Sequence, residues 1–133
     1  MKFAQAAIEY IVLVGVIMVF LIPVIHYSLN EANTSLKINQ LENSVRRVAK
    51  AADAVYAIGA GASELITITL PYGIESTNIS NNQILLKVSM FGAVSDVIYA
   101  TRVNVTGTLP NLPGTYNIIV KALSNLTVEI KQK

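Results

Sequence analysis

Hydrophobic and polar positions divide the chain into three stretches of different periodicity, and the first stretch is almost entirely apolar. Between Gln5 and Leu29 most residues are aliphatic or aromatic, and no Asp, Glu, Lys or Arg occurs between Glu9 and Glu31. An apolar run of about 20 residues, at about 1.5 Å per residue, has the length of a membrane-spanning helix. This stretch therefore predicts such a helix, with a kink expected at Pro23.

The second stretch is amphipathic. Its apolar residues recur at spacings of three, four, five or seven, which approximates one face of a helix. Gly59 and Gly61 follow and predict the end of that helix, because glycine favours the left-handed conformation of a C-cap. Residues 31–60 are thus predicted to continue the apolar helix. The apolar stripe consists of Leu36, Leu41, Val45, Val48, Ala52 and Val55.

From Ser63 onward, short runs rich in β-branched residues alternate with turn residues. The runs are 64–70, 78–90, 97–106, 115–123 and 126–131, and the turns lie at Pro71 with Gly73, Asn81 with Asn82, Gly92, Gly107 and 110–114. This pattern predicts an antiparallel sheet of about five or six strands. Because such a sheet has one face to bury and the second stretch has an apolar stripe, we expect an α+β fold. In it, a long N-terminal helix packs on a small antiparallel β-sheet head domain, and its apolar half forms the stick of a lollipop.

The composition argues against nucleic-acid binding, metal binding and catalysis. The 133 residues carry a net charge of +2 on only 14% charged residues, and the basic residues are scattered, so nucleic acid is an unlikely partner. The group RRVAK at 46–50 is expected to be a solvated helix face. There is no cysteine and a single histidine, His26, so the sequence offers neither a thiolate nor a histidine-cluster metal site. We expect no enzyme, no metal and no cofactor.

The apolar run is too long for the core of a secretory signal peptide, and no A-x-A cleavage site follows Leu29. A different arrangement keeps the helix and removes only MKFA, by a cut between Ala4 and Gln5. Glu9 then becomes the fifth residue of the mature chain, with Tyr10 directly behind it.

The stretch QAAIEY resembles the class III signal sequence of archaeal type IV pilins, in which Gln and small residues precede Glu-Tyr and a hydrophobic helix. Ala4 stands where that family more often has Gly, and Ala7 where Ser is common. The segments AADAVYAIGAG and GTYNIIVKAL also resemble the β domain of that family, so the similarity extends over essentially the whole chain.

The resemblance implies a division into a leader (1–4), a hydrophobic helix (5–30), an amphipathic helix (31–60) and a β head (61–133). A prepilin peptidase would remove the leader, and a motor with membrane platform proteins would move the subunit from the cytoplasmic membrane into an extracellular adhesion filament. That filament is a helical homo-oligomer with the hydrophobic helices in its core. Glu9 and Tyr10 would then serve subunit assembly, with Glu9 meeting the new α-amino group of a neighbour's Gln5. The alternative role for Glu9 is a cap on the first helical turn.

Four Asn-x-Ser/Thr sequons, at Asn33, Asn78, Asn104 and Asn125, exceed the roughly one or two that this composition gives by chance. They favour an extracellular, N-glycosylated surface.

Two other functions fit the same pattern. One is a singly anchored membrane protein whose β domain binds a ligand outside the cell. The other is a motility filament subunit of the archaellin type, which usually carries a larger head.

Overall fold

The computed structural model describes residues 2–90 and 93–133, and over these residues the chain forms one helix followed by seven strands. Met1 of the predicted leader and the predicted turn residue Gly92 lie outside the described residues. The helix is α1 (Lys2–Ile58), and the strands are β1 (Ser63–Leu70), β2 (Ile74–Ser80), β3 (Gln83–Met90), β4 (Ala93–Ala100), β5 (Asn104–Gly107), β6 (Gly114–Ala122) and β7 (Thr127–Gln132).

The chain divides into two compact units after Leu36. Unit 1 is the first part of α1, and unit 2, Lys37–Lys133, contains the rest of α1 and all the described strands. Within unit 1 the helix is uninterrupted at Pro23, although proline contributes no N–H to the helical hydrogen bonds.

The helix ends at the predicted glycines. Gly59 has φ +115°, and its N–H donates to the carbonyl oxygen of Val55 at 3.1 Å. Gly61 has φ +90°, and its N–H donates to the carbonyl oxygen of Ala122 at 2.9 Å. Because an L side chain strains the backbone at such φ values, glycine allows the chain to leave α1 and enter β1 within four residues.

Unit 2 contains two sheets. The larger has the strand order β1-β6-β7-β5, in which β5 runs parallel to β7 and the other pairs are antiparallel. The smaller is the antiparallel meander β2-β3-β4. The two sheets approach each other through β2 and β5, where the Val105 N–H donates to the Asn81 carbonyl and the Thr77 hydroxyl to the Leu109 carbonyl.

The core of unit 2 lies between α1 and the two sheets. The helix buries one face, and the sheets contribute mainly fully buried Ile, Leu and Val, each worth about 1.5–3 kcal/mol of hydrophobic stabilisation. Two polar contacts fix the helix in place: the buried Ser44 hydroxyl donates to the Thr69 carbonyl at 2.7 Å, and Asp53 Oδ1 accepts the Arg102 N–H at 3.2 Å. The buried helix residues are Leu41, Ser44, Val45, Val48, Ala49, Ala51, Ala52 and Val55.

This arrangement confirms the α+β fold, with a long N-terminal helix on a small, mostly antiparallel β domain. Two details of the prediction were wrong. The strands form two sheets with one parallel pair, and seven strands are described, because the run 78–90 divides at the predicted Asn81–Asn82 turn and the run 97–106 divides as well. Asn81, at φ +51°, makes the first break, and the second lies at 101–103, where the Thr101 hydroxyl donates to the Val103 carbonyl. Leu36, predicted to face the sheet, is 60% exposed.

Gly107 is the position at which a side chain should harm the fold most directly. Its φ is +132°, and a Cβ there would overlap the carbonyl oxygen of Ile130 on the paired strand β7. We expect Gly107→Ala to lower the free energy of unfolding by about 2–4 kcal/mol. Thermal unfolding followed by circular dichroism in detergent measures this. The neighbouring control Thr108→Ala, at an exposed position outside the sequons, should change stability by less than about 0.5 kcal/mol. Equal stability of both variants would contradict the structure of β5.

Candidate functional site

Unit 1 presents an apolar surface on every side of the helix. Its most apolar 18-residue window has a mean hydropathy of 2.7, and none of that window is buried in protein. Its aliphatic side chains point in all directions, so packing one face of this helix against protein would still leave the other faces apolar and exposed. The helix is therefore long and apolar enough to cross a membrane.

Glu9 interrupts this surface near its N-terminal end. The Glu9 side chain is exposed and borders a shallow depression whose other lining residues are all aliphatic. Among the described residues, Lys131 and Glu129 form an ion pair, and Glu9 forms none with a cation of its own chain. The lining residues are Ile8, Val12, Leu13, Val16 and Ile17. A carboxylate set among aliphatic side chains needs a cation once water is removed.

The predicted cleavage residues lie in the first turns of α1. Ala4 and Gln5 are helical and exposed, and so is Tyr10, whose side chain is 72% accessible. Gln5 precedes Glu9 by four residues, which corresponds to about 6 Å along a helix axis. A chain beginning at Gln5 would carry its α-amino group at the positive end of the helix dipole, so the ammonium group would gain from a nearby carboxylate.

All four sequon asparagines are exposed. Asn33 lies within α1 in unit 1, and the other three lie in unit 2. Asn104 pairs in register with Thr127, whose hydroxyl donates to the Asn125 carbonyl at 3.5 Å, so Asn104 and Asn125 lie at the same end of the larger sheet. Asn81, in the turn directly after the strand of Asn78, contacts Val105. Thr77, next to Asn78, donates its hydroxyl to the Leu109 carbonyl beyond the other end of β5, so Asn78 lies apart from the neighbouring Asn104 and Asn125, which the sequence pattern did not predict.

The other residues considered as chemical sites are the single histidine and the basic group of α1. His26 lies exposed in the apolar part of α1. Across residues 2–90 and 93–133, no group of three or more His, Cys, Asp or Glu side chains is placed to hold a metal ion. Arg46, Arg47 and Lys50, predicted to form a solvated helix face, are exposed on α1 in unit 2.

Two polar residues that position the helix escaped sequence reasoning. Ser44 and Asp53 carry the contacts to β1 and to the β4–β5 connection. Their partners lie 25 and 49 residues away in sequence, so no local pattern signals either contact.

Comparison of the chain with protein-family models, with curated proteins and with solved structures finds no match.

Unit 1 should determine how the chain partitions between membrane and water. A chain that starts at Lys37 retains the whole buried face of α1 and both sheets, so we expect it to remain in the aqueous supernatant after ultracentrifugation. The full chain should sediment with membranes and resist extraction with alkaline carbonate. A shortened chain that still binds membranes would show that the apolar helix is not the element responsible.

Proposed function

We propose that this protein is the structural subunit of an extracellular filament of the archaeal type IV pilus class. The observation that carries the proposal is the contrast within α1. In unit 1 the apolar helix is exposed on all sides, whereas in unit 2 one face of the same helix is buried under two sheets. A filament with a helical core and outer β domains requires both properties in one helix.

The first stage of the proposed mechanism is membrane insertion. The apolar helix enters the bilayer with its backbone hydrogen bonds satisfied internally. A peptidase then removes residues 1–4, and Gln5 becomes the N-terminal residue. Glu9 stays near the end of the helix, where the dipole favours a negative charge by about 0.3–1 kcal/mol and where the cost of a charge at the bilayer centre, about 2.5–3.5 kcal/mol on insertion scales, is avoided.

The second stage is assembly. A motor and platform proteins move subunits out of the lipid, and helix-to-helix contacts replace the helix-to-lipid contacts. Glu9 of one subunit meets the α-amino group of Gln5 of a neighbour displaced by about 6 Å along the axis, which is four residues of helix. This ion pair neutralises two charges that would otherwise be buried separately. The subunit itself performs no reaction, and its activity is polymerisation.

Glu9 variants test this function. In cells that make Glu9→Gln, the processed chain should accumulate in the membrane, and filaments in the sheared, pelleted fraction should fall by at least roughly tenfold, because the amide cannot neutralise the α-amino group. Glu9→Asp should retain part of the yield.

The matched control is Glu31→Gln, which alters the next carboxylate along α1, exposed like Glu9 in unit 1. It should leave filament yield within about twofold of the wild type, since its charge lies beyond the apolar run. Normal filaments from Glu9→Gln would reject the proposed pairing. A chain found only in membranes, in the wild type as well, would favour the anchored, ligand-binding alternative.

The proposed location outside the cell also predicts glycosylation. We expect glycan on at least one of the four sequons in filament material, detected as a mass increase on the Asn-containing peptide. Asn104 and Asn125 are the best acceptors, because they lie exposed at the start of a strand and in a turn, whereas Asn33 lies within a continuous helix. The corresponding Asn→Gln variant should lose that mass. Filament peptides without added mass at any sequon would contradict this prediction.

A further inference from the structure

The exposed face of α1 in unit 2 separates two grooves, and each groove runs along a strand at the edge of its sheet. The first groove, about 600 Å³, lies between α1 and β1, the edge strand of the larger sheet. The second, about 370 Å³, lies between α1 and β4, an edge strand of the smaller sheet.

The charges at the two grooves differ in sign. Arg46, Arg47 and Lys50 line the first groove together with Thr67–Thr69, and no carboxylate lines it. We call this surface the basic groove. A shallower continuation toward the start of β1 includes Glu64.

Asp96 and Glu42 line the second groove, and both are exposed. We call the β4 strand around Asp96, together with Glu42, the acidic edge. Arg46 lies between the two grooves and lines both. Lys87 is the register partner of Asp96, but the two side chains form no ion pair in the described part of the chain. Among the described residues the charges of both surfaces form no ion pair, although Arg46 stands four residues after Glu42 on α1 and shares the second groove with Glu42 and Asp96.

The acidic edge also exposes apolar side chains. Val94 and Ile98, on either side of Asp96, are 55% and 57% exposed. An exposed apolar edge strand is a surface on which another chain can be accommodated. The Asp96 carboxylate at this edge favours a partner that carries basic side chains.

Assembly into a helical filament requires contacts between two different surfaces of the same chain. Neighbouring copies in a helical filament are related by rotation and translation along one axis, so each contact joins two different patches of the same chain. We propose that, in the filament, the acidic edge of one copy docks on the basic groove of a second copy. Arg47 and Lys50 of one copy then face Asp96 and Glu42 of the next, and Val94 and Ile98 lose exposure. This contact rests on the proposed filament function and adds an interface between β domains to the packing of the apolar helices.

A disulfide experiment tests the contact, because the chain contains no cysteine. Thr67→Cys places a thiol at the basic groove, and Ser95→Cys places one on the β4 residue that lines the second groove just before Asp96, both at exposed positions that leave the charges intact. Oxidation of sheared filaments that carry both substitutions should give a ladder of covalent dimers, trimers and higher multimers on a non-reducing gel. Each copy supplies both halves of the contact, so the ladder continues beyond the dimer.

The controls separate this contact from chance collisions. Thr67→Cys combined with Ser76→Cys, an exposed position on β2, should give no ladder, and neither single variant should give multimers. Adding Lys50→Glu to the reactive pair should reduce the ladder roughly tenfold, because it places like charges in contact. A ladder of equal yield from the Ser76 control, or one unaffected by Lys50→Glu, would overturn the proposal.

Cross-linking of wild-type filaments tests the same contact without any substitution that could prevent assembly. A carbodiimide, which joins carboxylates to amines already in contact, should link Lys50 to Asp96 in covalent dimers from intact filaments, identified by mass spectrometry. Intact filaments without this link, and without the disulfide ladder, would overturn the contact alone. Absence of the chain from wild-type filaments would instead overturn the proposed function, and the contact with it.

Discussion

The rest of the structure depends on one constraint, which is that the aliphatic surface of unit 1 has no protein partner within its own chain. The large apolar side chains of this helix, from Ile8 to Leu29, are each more than 40% exposed. Burying a single such side chain is worth about 1.5–3 kcal/mol, so removing this many from water would release several times the free energy that stabilises a typical domain. Lipid can cover this surface, and so can copies of the same helix. In the proposed function, the helix moves from lipid into a bundle of copies of itself.

Glu9 distinguishes the membrane-inserted helix from the helix packed in a bundle. Near the end of the helix in a membrane, a carboxylate remains close to water. Inside a bundle of helices it needs a cation, and the proposed cleavage before Gln5 creates one at the distance of about one helical turn. Unit 2 has a different task, since its core is already complete between α1 and two sheets. Its exposed edges and charges therefore remain available for contacts with other copies.

Sequence periodicity predicted the helices, their end at Gly59 and the approximate positions of the strands, because these depend on local spacing and on glycine. It did not predict the parallel pairing of β5 with β7, since alternation of period two is the same for parallel and antiparallel strands. Leu36 was misplaced because an apolar residue at helical spacing carries no information on where the covering sheet ends. Glu9 stood out from the sequence by its isolation, whereas the two grooves did not. Lys50 and Asp96 are separated along the chain by β1, β2 and β3, and only the fold places them at two grooves that flank one face of α1.

The measurement that tests the central claim most directly is mass spectrometry of the N-terminal peptide in material sheared from the cell surface and pelleted. The account predicts a peptide that begins at Gln5, in a pellet that contains filaments, which would establish processing and assembly in the same sample. A chain that still begins at Met1 and occurs only in the membrane fraction would contradict it, and Glu9 would then be an ordinary carboxylate at the end of a membrane anchor.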